Sequence, residues 1–192
     1  MIIRSSAISP SGFVNKRLVN ALVAAGLPAV GISGEDGALL GAELIDATSL
    51  GFAGQPVLVK AGLLRTLLKA RYLPVISPVG YNVSSLKGGP LNVNGDDAAA
   101  AIAAALEADE LLLIADVEGV QDSEGEVVSN LSIETARELT ANGIAVGGMA
   151  AKLESAQAAL IAGVARVRIC DLAGLSDGER GTFVTHSQSV AL

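Results

Sequence analysis

The sequence predicts an α/β fold made of βαβ units, with a mainly parallel sheet and helices on both of its faces. Three observations predict it. Amphipathic helical stretches alternate with short apolar runs along the whole chain. Hydrophobic residues make up 51% of the chain and aromatic ones only 3%, so the core must be built from Ala, Val, Leu and Ile, which favours close packing of helix on sheet. The length, 192 residues, suits one domain able to bury such a core.

The elements follow in order. Residues 12–26 read as a helix, with Phe13, Val14, Leu18, Ala21, Leu22 and Ala25 forming an apolar stripe and Gly26 ending it. Residues 27–33 are a short buried strand, and Gly34-Glu-Asp-Gly37 is a tight turn. Residues 39–59 hold strand candidates broken by Gly41, Gly51 and Gly54, the pattern of a hairpin or flap. Residues 63–71 form an amphipathic helix, 73–78 a strand and 81–90 a polar, glycine-rich loop. An alanine-rich helix runs from Ala98 to Leu106, and a buried strand starts at Leu111 and ends on Asp116 and Gly119. Residues 116–126 are a polar loop. Residues 133–141 are a helix that begins after Ser132 and carries Glu134 in its first turn. A glycine-rich loop at 142–149, a helix at 152–163, a strand at 165–171 and a short strand at 181–185 complete the chain. Open α/β sheets bind ligands at the carboxyl ends of their strands, so the loops after Pro78, Ala115 and Asn142 are expected along one edge.

Composition removes several function classes. A formal charge of −7 argues against a nucleic-acid surface, which needs clustered Lys and Arg. No apolar run reaches the roughly 20 residues that span a bilayer. The start of the chain lacks the apolar segment of a secretory leader, and the lone Cys170 fits a reducing cytoplasm. No Cys/His cluster suggests a zinc site, and His186, the one histidine, reads as a surface residue in a tail.

The densest chemistry lies at residues 89–97, Gly-Pro-Leu-Asn-Val-Asn-Gly-Asp-Asp. Asn92, Asn94, Asp96 and Asp97 crowd one helix entrance, more polar groups than a cap requires. Asn92 can donate hydrogen bonds to a ligand, and Asp96 can act as a fixed charge that orients cations around a transferring group. A plain capped helix with solvated neighbours is the other reading of the spacing. In Gly147-Gly-Met-Ala-Ala-Lys152 the glycines allow close backbone approach to a phosphate. Lys152, one of five lysines, follows in the early turns of a helix, where the dipole disfavours a cation unless it meets an anion. A glycine loop beside a solvated lysine fits equally. Ala115-Asp-Val-Glu-Gly-Val120 reads as a strand end and turn, or as the edge of a nucleotide pocket. No Walker or Gly-x-Gly-x-x-Gly motif is present, and one tail histidine supports no Ser-His-Asp or Cys-His set.

Taken in order, eight stretches resemble the amino acid kinase superfamily, and within it the N-acetylglutamate kinases. They are Phe13-Val-Asn-Lys-Arg-Leu18, Ala29-Val-Gly-Ile-Ser-Gly-Glu-Asp-Gly37, Gly51-Phe-Ala-Gly54, Leu73-Pro-Val-Ile-Ser-Pro78, Leu91-Asn-Val-Asn-Gly-Asp96, Ala115-Asp-Val-Glu-Gly-Val120, Gly147-Gly-Met149 with Lys152, and Gly181-Thr182. The resemblance implies a three-layer αβα sandwich over residues 1–192 as a single domain. It also implies phosphorylation of the side-chain carboxylate of N-acetyl-L-glutamate by ATP with Mg2+, in arginine synthesis. On the matching positions, Asn92 binds acetylglutamate, Asp96 organises catalytic lysines and Lys152 stabilises charge on the ATP phosphates. Asp116, Gly119, Gly148 and Met149 line the nucleotide site, and Asn92, Asp96 and Lys152 are expected to converge. No residue matches the glycine pair, lysine and arginine with which the family's phosphate grip begins. The expectation is therefore a chain lacking the usual N-terminal strands, with weak or no turnover alone. Family members often dimerise, but no interface is legible. Two alternatives remain: a kinase of carrier-bound aminoadipate in lysine synthesis, and a non-catalytic nucleotide-binding module.

Overall fold

Short strands and alanine-rich helices give the chain a parallel-rich α/β architecture. In the computed structural model, which describes residues 10–46, 48–85 and 88–186, the chain divides into two compact units, Met1–Leu106 and Glu107–Leu192.

In the first unit a π-helical turn, Pro10–Val14, leads into α1 (Asn15–Ala24). This helix packs on β1 (Ala29–Ser33) and β4 (Leu73–Ser77), a parallel pair in register from Ala29 opposite Leu73 to Ser33 opposite Ser77. The helix expected over 12–26 is present, but its apolar stripe is not its buried face. Phe13, Val14 and Leu18 are 66%, 56% and 51% exposed, whereas Asn15 is 4% exposed. The Asn15 amide nitrogen donates to the carbonyls of Val75 at 2.9 Å and Ile32 at 3.3 Å, spanning both strands. Lys16 Nζ donates to the Gly31 carbonyl at 2.7 Å. Hydrogen bonding to strand carbonyls, with Gly31 leaving room that a Cβ would take from the Asn15 amide, decides which side faces in.

The glycine-broken stretch forms the expected hairpin, β2 (Leu40–Leu44) antiparallel to β3 (Ala53–Val59), with a register shift between Gly41 and Ala42. With β5 (Val79–Asn82) and β6 (Pro90–Val93) these strands close into a small barrel. Leu40, Ala42, Leu91 and Val93 fill it and pack with Ala98. The barrel corrects the loop expected over 81–90: both of its ends belong to strands. It also separates the polar stretch 89–97 into parts. Along β6 the side chains alternate, Leu91 and Val93 inward and Asn92 outward. Helix α2 (Gly62–Lys69) buries Leu64, and α3 (Gly95–Leu106) buries Ala98, Ala100 and Ala103.

In the second unit β7 (Glu110–Ile114), β9 (Arg166–Cys170), β10 (Thr182–Thr185) and β8 (Asn130–Ser132) form one sheet in that order. The β7–β9 and β10–β8 pairs are parallel, and β10–β9 is antiparallel. Helix α4 (Ile133–Ala141) has the expected bounds. Ser132 caps it by accepting from the Thr135 amide at 3.1 Å. Helix α5 (Gly147–Ile161) starts five residues earlier than the expected start at residue 152, because the glycine pair continues into the first turn instead of standing before it. Leu153, Ala156, Ala159 and Leu160 form its buried face. Leu113, Leu131, Val167, Ile169 and Val184 are at most 2% exposed and make the core, together with Cys170, whose thiol is pushed up by burial. No helix among the described residues is long and apolar enough to cross a membrane.

After β9 a 3-10 turn, Leu172–Leu175, begins at Asp171. Arg180 grips the Asp171 carboxylate with two hydrogen bonds, from Nε at 2.8 Å and Nη2 at 2.7 Å. These bonds hold the Asp171 carboxyl at about 2, below the ordinary 3.8. A depressed folded value gives stability that is present above the unfolded value and lost as pH falls through the folded one. Asp171→Asn is therefore expected to lower the urea midpoint at neutral pH. The gap to the parent chain should close between about pH 4 and pH 2, followed by circular dichroism.

Candidate functional site

The starts of α4 and α5 are built differently, and the difference creates a site. α4 carries its own cap, Ser132, and an acid, Glu134, in its first turn. α5 has Val146 at its N-cap, no side-chain cap bond and no acidic residue in its first turn. The first amides of a helix lack intrahelical acceptors, and the dipole makes that end positive. Gly147 enters the helix at φ 55°, a left-handed conformation that glycine adopts without a Cβ penalty. A Cβ placed on Gly147 or Gly148 would meet nothing within 4 Å. The start of α5 thus opens onto space and lacks a neutralising side chain.

That space is a cavity of about 400 Å³ within the second unit. From one side Val146, Gly148, Met149 and Lys152 line it; from the other come Asp116, Val117, Gly119 and Gln121, in the loop that leaves the carboxyl end of β7. Of the three loops expected along one edge, those after Ala115 and Asn142 meet here, the second of them joining α4 to α5, whereas the residues after Pro78 form β5 in the first unit. The β7 loop is fixed from behind. The Val120 amide donates to Thr182 Oγ1 at 2.8 Å in a buried bond. A Cβ on Gly119 would lie 2.6 Å from that oxygen and 2.9 Å from Val127 Cγ1, so glycine is required for the close approach.

The cavity combines a helix N-terminus and the cationic Lys152 with one carboxylate, Asp116, and with apolar Val117, Ile144, Val146 and Met149. Val117, Ile144 and Val146 are 39%, 38% and 65% exposed, an unfavourable state for aliphatic side chains that a ligand surface would relieve. The arrangement suits a molecule with an anionic end and an apolar body. Five residues singled out from the sequence, Asp116, Gly119, Gly148, Met149 and Lys152, lie in this one cavity. The aliphatic wall was not anticipated. Its signal was two β-branched residues, Ile144 and Val146, placed beside a glycine pair in a stretch otherwise read as a loop.

The other two expected site residues lie in the first unit, at the β6–α3 junction. Asn92 is an exposed strand residue whose backbone amide donates to the Phe52 carbonyl at 2.8 Å. Asp96 is half-buried in the first turn of α3. The crowded polar groups divide their work. Asn94 does the capping, accepting from the amides of Asp96 at 2.8 Å and Asp97 at 3.3 Å. The Asn92 side chain is not part of that cap, which leaves its amide for another use.

Comparison with known proteins follows the same lines. The amino acid kinase family pattern matches residues 10–171. An acetylglutamate kinase of Ruegeria sp. (strain TM1040) is 46% identical over 161 residues, covering 84% of this chain and 55% of that protein. One from Cereibacter sphaeroides (strain ATCC 17029 / ATH 2.4.9) is 48% identical, with 84% of this chain and 54% of that protein covered. The chain thus spans about half the length of the curated relatives it matches. Among solved structures, smu.665 from Streptococcus mutans UA159 superposes with a TM-score of 0.81 at 27% identity, covering 94% of this chain and 70% of that one.

Proposed function

The chain belongs to the amino acid kinase family, and from that premise we propose that it serves acetylglutamate kinase chemistry. This is transfer of the terminal phosphoryl group of ATP to the side-chain carboxylate of N-acetyl-L-glutamate, in arginine synthesis. The observation that carries the reading is the uncapped start of α5 opening into a cavity that also holds Lys152 and the β7 loop. On this reading the α5 amides and Lys152 take the phosphates, and the aliphatic wall takes the nucleoside. Asp116 and Gly119 form the edge of the pocket. In the first unit Asn92 binds the acetylglutamate, and Asp96 orients cationic groups. The relatives' names, acetylglutamate kinase in each of the two described, favour this acceptor over a carrier-bound aminoadipate.

Mg2+ would come with the nucleotide. No group of three His, Cys, Asp or Glu side chains that could hold a metal occurs among the described residues. Mg2+ commonly takes one or two carboxylates plus phosphate oxygens, a demand that a single acid in the cavity, Asp116, is suited to meet. It supplies charge compensation on the phosphates.

Calorimetric titration of the 192-residue chain with ATP and Mg2+ tests the reading. Saturable binding is expected, together with a rise in the melting midpoint when N-acetyl-L-glutamate is added. A chain that binds no ATP would overturn the proposal. A midpoint raised by an aminoadipate-type acceptor and not by acetylglutamate would redirect it.

A further inference from the structure

Every residue from Ala115 to Gln121 lines the cavity except Glu118. Its carboxylate points instead at Arg180, with Oε2 3.1 Å from Nη2. Arg180 is well anchored for the contact. Its guanidinium makes the two hydrogen bonds to Asp171. Its own carbonyl accepts from the buried Arg168 Nη1 at 3.2 Å, and the same nitrogen donates to the Asp177 carbonyl at 2.8 Å. Just after Arg180, Gly181 leads to Thr182, which holds the Val120 amide. The loop that edges the cavity is therefore tied at two successive points to one rigid segment, by a side-chain ion pair at Glu118 and a hydrogen bond at Val120.

We propose that the Glu118–Arg180 pair is a positioning device for the nucleotide site, holding the 116–120 loop in the shape that receives the ligand. The inference rests on the nucleotide reading given above. The pair's own geometry argues for position over stability. Its side chains are 45% and 30% exposed, and exposed pairs add little to folding. Glu118 faces away from the cavity, so it acts through Asp116, Val117 and Gly119.

Glu118→Gln removes the charge and leaves the Arg180–Asp171 grip intact. Calorimetry is expected to show ATP affinity weakened by about fivefold. The melting midpoint should stay within about 2 °C of the parent. Hydrogen exchange at the Val120 amide should be faster. Glu118→Asp keeps the carboxylate, can reach Arg180 through a water, and should restore affinity to within about twofold. If Glu118→Gln binds ATP as the parent does while Lys152→Ala binds it at least about tenfold more weakly, the positioning role is wrong and the nucleotide reading stands. If midpoint and affinity fall together, the pair is merely structural and the inference fails. If the parent chain itself binds no ATP, the nucleotide reading fails and the inference with it.

Discussion

Lys152→Ala is expected to weaken ATP binding by roughly ten- to a hundredfold, the loss associated with one charge-assisted hydrogen bond to a phosphate. The argument is electrostatic. Lys152 sits in the second turn of α5 and lines the cavity at the helix's positive end, with a single acid, Asp116, on the opposite wall. Placing a cation near a helix N-terminus opposes the dipole preference, so by local rules the residue belongs elsewhere. A polyanion in the cavity reverses that sign. Titration calorimetry with ATP and Mg2+ measures the effect. Lys152→Met, which keeps most of the aliphatic stem, should lose as much, and an affinity unchanged in both variants would remove the phosphate role from this residue.

Gly181→Ala should be the most destabilising single methyl addition near the site, costing about 3 kcal/mol or more. Gly181 has φ 107°, where an L side chain is strained. The added Cβ would run into the Ile169 carbonyl and lie 2.6 Å from Cys170 Cβ. Those obstacles belong to β9 itself, at the centre of the sheet, so no flexible side chain can move aside. The substitution also displaces Thr182, and with it the bond to the Val120 amide. Urea unfolding followed by circular dichroism reads the change, and a midpoint equal to the parent's would show that β9 and β10 are less tightly apposed than described.

The parts of the fold legible in the sequence are those that local chemistry decides. Ser132 and Glu134 mark the start of α4, and the bounds 133–141 follow from a cap and an apolar period that need no distant partner. Leu73–Ser77 is a short apolar run that follows a turn and stops at Pro78, and it is a strand. The unread parts depend on contacts across the chain. β8, three residues long, is too short to show a period. β6 hides its alternation behind Pro90 and a run of polar residues. The stripe of α1 misleads because Asn15, a polar residue, earns burial only by reaching carbonyls on β1 and β4. At the candidate site the acid, the glycines and the lysine were visible as residue types in unusual places. The aliphatic wall and the Glu118–Arg180 tie were not, because exposure and pairing exist only once the loops are folded back.

The bare start of α5 has a cost that its neighbour α4 escapes. A serine cap contributes about 1 kcal/mol to a helix, and α5 has none. A guest anion would return that stabilisation, so occupancy and rigidity of this corner are coupled. If the proposed nucleotide binds there, the valine standing where a serine would serve the helix better trades local robustness for receptivity.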